Sequence, residues 1–186
     1  MPRTRVVFYR EREGRVPVLE WPDSLPAKIQ DKCVVKIERL RELGHELRRP
    51  EADLLQNGIC ELRFGREGIF GGMTMAKRKH PTTSDAVQIL HRRYYEGRPE
   101  RVRGLEDARV NDSVARKLTG LRLRAGLTQR QLAKLVGTTA SATCRLEDAE
   151  YAGHSLAMLN RIASALKQRV EIRFVPIAEG KKLKTA

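Results

Sequence analysis

"AGLTQRQLAKLVGTTASATCRLEDAE", residues 125–150, is the stretch whose pattern decides the architecture. Thr128 and, three residues on, Gln131 have the form of a capping box. In that motif the threonine hydroxyl and the glutamine side chain each take up a backbone N–H that a first helical turn leaves open, so a helix starts at Gln129. Leu132 and Leu135 are predicted to face inward, and Gly137 ends the helix in a tight turn. Thr139 then caps a second short helix with Ala142 and Leu146 toward the core. Two short helices separated by a three- to four-residue turn containing glycine meet the requirement of a helix-turn-helix, whose second helix enters the major groove of DNA.

Working outward, Thr83 or Ser84 caps a helix through Ala86, Ile89, Leu90 and Tyr94, broken by Gly97 and Pro99. A further helical stretch covers Glu100 to Arg109. A new start at Asn111 or Asp112 places Val114, Leu118, Leu121 and Ala125 at helical spacing, closed by Gly126. On the other side Ser155 caps "LAMLNRIASALKQ", residues 156–168, with Leu156, Leu159, Ile162, Ala163 and Leu166 as the core-facing stripe. In "RVEIRFVP", residues 169–176, Val170, Ile172 and Phe174 alternate with Arg169, Glu171 and Arg173, the period of a strand that pairs with its mate across a two-fold axis.

The pattern formed by Leu127, Thr128, Gln129, Leu132, Ala133, Val136 and Gly137 with "RLE" at 145–147 resembles the Cro/C1-type, or XRE, helix-turn-helix family. The resemblance implies a lambda repressor-like bundle and a set of DNA contacts. Gln129 would clamp a phosphate, helped by the backbone N–H groups at that helix start. Thr128, Arg130 and Lys134 lie beside it; for Arg130 and Lys134 a solvated helix face accounts for the charges equally well. Thr139, Ala140, Ser141 and Arg145 would face the groove with Cys144 near its edge, Arg145 reaching either guanine or phosphate. Two positions depart from the family. Position 140 usually carries a long polar base reader, whereas Ala140 offers a methyl to thymine. Position 143 is usually aliphatic, and Thr143 places there a hydroxyl that costs about 1–3 kcal/mol if buried without a partner. From "DAVQILHRRY" at 85–94 to the terminal strand, the chain looks like a HigA-type antitoxin, with Met73 or Met75 where such a protein would start.

The first half has another character. "RVVFYRE" at 5–11 predicts a strand, and "VPVLEW" at 16–21 an extended segment. Leu25, Ile29, Cys33, Ile37 and Leu40 recur every three or four residues up to Gly44, which marks an amphipathic helix. Pro50 begins a second short helix through Leu54 and Leu55. Asn57-Gly58 turns the chain into "ICELRFG", residues 59–65, whose alternation predicts another strand. These segments, "LRELGHELRRPEADLL" at 40–55 above all, resemble the RelE/ParE-like toxins of the HigB type, small ribosome-associated ribonucleases. On the residues themselves the resemblance runs from 4 to 69 and stops at Phe70, short of the family's later strands. General acid-base cleavage of RNA needs groups that converge from several strands. Arg63 is then the one weak candidate for catalysis, with an exposed arginine opposite Glu61 the plainer account, and no catalytic residue is assigned.

Charge sharpens the division. The 186 residues carry a formal charge of +14, with 14 Lys and Arg against 12 Asp and Glu in residues 1–72 and 23 against 11 in residues 73–186. The excess after residue 72 favours nucleic acid as partner, ahead of an anionic membrane surface. Apolar residues make up 40%, enough for two compact pieces. Cys33, Cys60 and Cys144 have neither pairing nor zinc-ligand spacing, and His45, His80, His91 and His154 are scattered and read as surface residues. No metal and no cofactor are expected. The start of the chain lacks the apolar core of a signal peptide, and no stretch approaches the roughly 18 apolar residues of a membrane span, so a cytoplasmic protein without membrane contact is expected.

The expected fold is mainly α, with a small N-terminal α+β remnant and a C-terminal all-α helix-turn-helix bundle ending in a strand. The expected units are a truncated toxin remnant at 1–72, a linker at 73–83 and toxin-binding helices at 84–110. A DNA-binding domain at 111–178 and a basic tail at 179–186 follow. Three functions compete: an operator-binding, autorepressing antitoxin-type homodimer; a fused toxin that still cleaves mRNA on the ribosome; and a binding module that neutralises a RelE/HigB-type toxin, in trans or by occupying the remnant in cis.

Overall fold

The structure is a computed structural model. It describes residues 4–44, 83–149 and 151–174 in full, and the backbone of 52–54, 59–64 and 69–74. The described chain is mainly helical, with one small sheet. In order it forms α1 (Pro17–Asp23), α2 (Ala27–Leu43), β1 (Ala52–Leu54), β2 (Ile59–Phe64), β3 (Ile69–Thr74), α3 (Ala86–Tyr94), α4 (Pro99–Arg124), α5 (Gln129–Leu135), α6 (Ala140–Leu146) and α7 (Leu156–Ala165).

Several elements differ from the sequence pattern. Residues 17–23 are helical rather than extended, because Pro17 occupies the first turn, where its missing N–H costs nothing, and Glu20 complements the helix start. Residues 5–8 form no strand. They run beside the start of α3, where Phe8 N–H donates to Thr83 Oγ1 (2.9 Å) and Ala86 N–H to the Val6 carbonyl (2.9 Å). Thr83 is thereby committed to the N-terminal segment, and Asp85 caps α3 in its place, accepting from Gln88 N–H at 3.1 Å.

Residues 52–54 pair as a strand instead of continuing a helix. The sheet order is β1-β2-β3, all antiparallel, with Asp53 opposite Glu61, Arg63 opposite Phe70 and Cys60 opposite Met73. β3 therefore runs through Gly71 and Gly72 to Thr74, past the point where the first half was expected to stop. Residues 75–82, with most of the expected linker and its basic arm, lie outside the described residues, as do 175–186.

α4 is one helix of 26 residues, roughly 39 Å long at 1.5 Å per residue, across the break expected at Asn111 and Asp112. Asp112 does not cap a new helix because its carboxylate is used elsewhere. It accepts from Arg116 Nε at 2.8 Å and faces Arg39 at 3.5 Å and Lys36 at 3.8 Å, itself 2% exposed.

Two apolar clusters result. One joins Val6, Phe8, Val34, Val35 and Leu40 to Ala86, Leu90, Tyr94, Tyr95 and Leu105, so that residues from both sides of the expected seam share one core. The other gathers Leu118, Leu132, Val136, Leu146 and Ile162, with Met158, Leu159 and Leu166 against it. Leu135 and Leu156, expected inside, are 55% and 48% exposed, and Met158 supplies the contact on α7 instead. Residues 168–174 show no strand, and Phe174 is 94% exposed. No described neighbour offers these residues a ladder of backbone partners, so alternation alone does not make a strand here.

Candidate nucleic-acid interface

The second cluster supports a surface built by α5, residues 136–139 and α6. Both capping-box bonds are present: Gln131 N–H donates to Thr128 Oγ1 at 3.2 Å, and Thr128 N–H donates to Gln131 Oε1 at 2.7 Å. At the other end Gly137 adopts φ +64°, a conformation costly for other residues, and Thr138 N–H donates to the Ala133 carbonyl at 2.9 Å. Arg161 of α7 donates to the Gly137 carbonyl at 3.0 Å and to that of Val136, which fixes the turn from behind. Thr139 then caps α6 by accepting from Ala142 N–H at 3.1 Å.

α6 sorts its residues by face. Leu146 and Thr143 point into the core, the latter 1% exposed, while Thr139, Ser141 and Arg145 are exposed and Ala140 and Cys144 are half-buried. Thr128, Arg130 and Lys134 are exposed on or beside α5, and Gln129 is half-buried. The hydroxyl of Thr143 has no hydrogen-bond partner. The Thr139 carbonyl, one turn back, accepts the Thr143 N–H at 3.0 Å but not its hydroxyl, the back-bond that a helical threonine commonly makes.

Arg122, which the sequence pattern did not single out, and Glu147, named there only as the last residue of "RLE", organise this surface. Arg122, near the end of α4, donates to Glu147 through Nε (2.5 Å) and Nη2 (2.8 Å), and its Nη1 holds the Leu127 carbonyl at 2.8 Å. The two side chains are 11% and 5% exposed. The hydrogen bonds it donates to Glu147 push the Arg122 guanidinium up from its ordinary range. Glu147 also accepts from Gln129 Nε2 at 3.0 Å. A signal was available: Arg122 lies one turn beyond Leu118, where the core-facing stripe of α4 calls for an apolar residue, and a charge at such a place implies a buried counter-charge.

A second polar array runs along the joint between the first two helices and those after residue 85. Asp23 accepts from Arg93 Nε (2.8 Å) and the Tyr94 hydroxyl (2.9 Å). Asp31 accepts from the Tyr95 hydroxyl (2.8 Å) and Arg101 Nη2 (2.9 Å). Glu38 meets His91 Nε2 at 2.6 Å and Arg109 Nε at 2.9 Å. Burial alone would raise the Glu38 carboxyl, but the hydrogen bonds from His91 and Arg109 outweigh it and hold the group down at about 2. His91, expected on the surface, is thus a member of the joint. Arg63 falls on β2; its side chain lies outside the described residues.

Among the described residues no group of three or more His, Cys, Asp or Glu is placed to hold a metal ion, and no helix is long and apolar enough to cross a membrane. A family model described as phage derived protein Gp49-like (DUF891), a RelE-like, toxin-related family, matches residues 20–82. That similarity extends beyond Phe70, in keeping with the continuation of β3 to Thr74. No curated protein and no solved structure gives a significant match.

Proposed function

We propose that the chain is a DNA-binding regulator of the antitoxin type, which reads an operator with α6 and represses its own toxin-antitoxin operon as a homodimer. The observation that carries this is the doubly capped pair α5 and α6, set by Gly137, with Thr139, Ser141 and Arg145 on the outer face of the second helix. α6 enters the major groove, with Ala140 giving a methyl contact and Cys144 at the groove edge, while Thr128, Gln129 and Arg130 engage the backbone. Residues 169–176 pair with their mate in the dimer, and the half-sites lie about one helical turn, roughly 34 Å, apart. The test is a titration against the DNA upstream of its own reading frame over a salt series. The expected result is preference for that duplex over random DNA at every salt concentration; steep salt dependence without preference refutes the reading and leaves electrostatics alone.

A second reading concerns the N-terminal half and rests on the shared core. α3 and α4 present Ala86, Leu90, Tyr94, Tyr95 and Leu105 to α2 and the N-terminal segment, so the toxin-like half is occupied in cis. On this reading the chain neither cleaves mRNA nor binds a separate RelE/HigB-type toxin through these helices. A ribosome-dependent cleavage assay should be blank, and cleavage that disappears in Arg63→Ala would restore the enzyme.

A further inference from the structure

We propose that Glu147 is a positioning residue for Gln129: paired with Arg122, it fixes the glutamine amide in the orientation that offers an N–H to a DNA phosphate. The inference rests on the DNA-binding reading above and names the device that prepares its phosphate contact.

The chemistry is one of acceptors and donors. An ionised carboxylate only accepts, so the Gln129 amide must turn Nε2, not Oε1, toward Glu147 Oε2, where the contact is 3.0 Å. A phosphate also only accepts. A glutamine free to turn over presents its carbonyl oxygen to the phosphate half the time, and an acceptor facing an acceptor repels. With one N–H of Nε2 spent on Glu147, the second is the donor left for the phosphate. The orientation is chosen before DNA arrives, and the entropy of fixing a long side chain is spent in folding rather than in binding.

Glu147 can do this without repelling DNA because its charge is matched. Both of its oxygens accept from Arg122, at 2.5 and 2.8 Å, in the planar two-point geometry that guanidinium and carboxylate share. The pair is almost wholly buried, 11% and 5% exposed, so neither member swings out to solvent. The placement adds a mechanical consequence: Gln129 opens α5, Glu147 closes α6, and Arg122 reaches both from α4 while holding the Leu127 carbonyl just before α5. Ala140, at the opposite end of α6, has no polar group with which to hold Gln129.

The test is a double-mutant cycle on the full chain, with affinity for the upstream duplex read by fluorescence anisotropy. Arg122→Met with Glu147→Leu replaces the buried pair by apolar residues of similar volume, an exchange that commonly leaves stability unchanged or higher, and it leaves net charge unchanged. The expected result is a five- to tenfold loss of affinity with the salt slope unaltered, a similar loss in Gln129→Ala, and no further loss when all three are combined. Undiminished affinity in the pair variant, or losses that multiply, overturns the assignment. Absence of preference for the upstream duplex in the unsubstituted protein overturns the DNA reading and this assignment with it. A variant-free measurement covers the case of misfolding: by NMR the Gln129 side-chain amide of the unsubstituted protein should be as rigid as the α5 backbone, and rapid averaging of that group overturns the proposal.

Discussion

Replacing Thr143 by valine should stabilise the protein, and the size of the gain can be worked from its surroundings. The side chain is 1% exposed and Oγ1 has no partner, so folding strips the hydroxyl of water and returns nothing. Such a loss costs about 1–3 kcal/mol. Valine keeps the shape, exchanges the buried hydroxyl for a methyl, and differs little from threonine in helix propensity. A gain of about 2 kcal/mol in a chain of this size corresponds to a rise in Tm of roughly 4–8 °C. Thr143→Ile should gain less, since its extra methyl must find room in a packed site. Thermal melts by circular dichroism measure the shift, and slower hydrogen exchange at the Leu132, Leu146 and Ile162 amides would place it in the second core. An unchanged or lower Tm in Thr143→Val would refute the claim that the hydroxyl is buried without compensation.

Three further substitutions probe the joint and the surface. Gly104→Ala would set a Cβ 2.7 Å from Asp31 Oδ2, a carboxylate pinned by Tyr95 and Arg101, so the clash should outweigh alanine's helix preference of about 1 kcal/mol; a urea midpoint at or above that of the parent would refute it. Glu38 titrates at about 2 when folded against 4.5 in an ordinary environment, so its stabilising contribution is complete above pH 4.5 and fades as pH falls toward 2. Glu38→Gln should therefore be less stable at neutral pH and flatter in stability across that window, and equal slopes in the two proteins would contradict the assignment. On the proposed DNA-binding function, Arg145→Ala should cost about 1–3 kcal/mol in affinity for the upstream duplex with relaxed preference at one base pair if the arginine reads guanine; a uniform loss over all sequences would make it a phosphate contact, and no loss would remove it from the interface.

What could be read from the sequence was local. The caps by Thr128, Thr139 and Ser155 stand where the pattern puts them, because a cap depends on residues three apart. β2 follows from its own alternation and the Asn57-Gly58 signal. The misplaced caps involve distant partners. Asp112 looks like a cap until Arg39 and Lys36 of α2 are brought to it, and Thr83 looks like one until Phe8 takes its hydroxyl. The two glycines of "GGMTM" suggest a boundary, yet Gly71 and Gly72 lie inside β3, paired with Leu62 and Glu61. On the surface formed by α5 and α6, the family resemblance suggested Gln129 and Arg145. The Arg122–Glu147 pair was missed because it joins residues from two helices, and only its place on an apolar stripe betrays it.

The first and second cores meet on one element, and that fixes how the chain should unfold. α4 carries Leu105 in one cluster and Leu118 in the other, with Asp112 between them, 2% exposed and facing Lys36 and Arg39 of α2. Removing one partner of a buried charge cluster costs about 3–5 kcal/mol, because the remaining charges stay desolvated. Asp112→Ala removes the acid that holds the middle of α4 to α2, so the loss falls on the joint rather than on either apolar cluster. The expected outcome is a denaturant midpoint well below the parent's and a single unfolding transition resolved into two, with Trp21 fluorescence reporting the N-terminal core early. The α5–α6 surface, resting on Leu118, Leu132 and Ile162, should keep its hydrogen-exchange protection through the first transition. One transition with a loss under about 1 kcal/mol would show instead that the apolar core around Leu105 and Tyr95 and the ion pairs of Asp31 and Glu38 hold the halves together without Asp112.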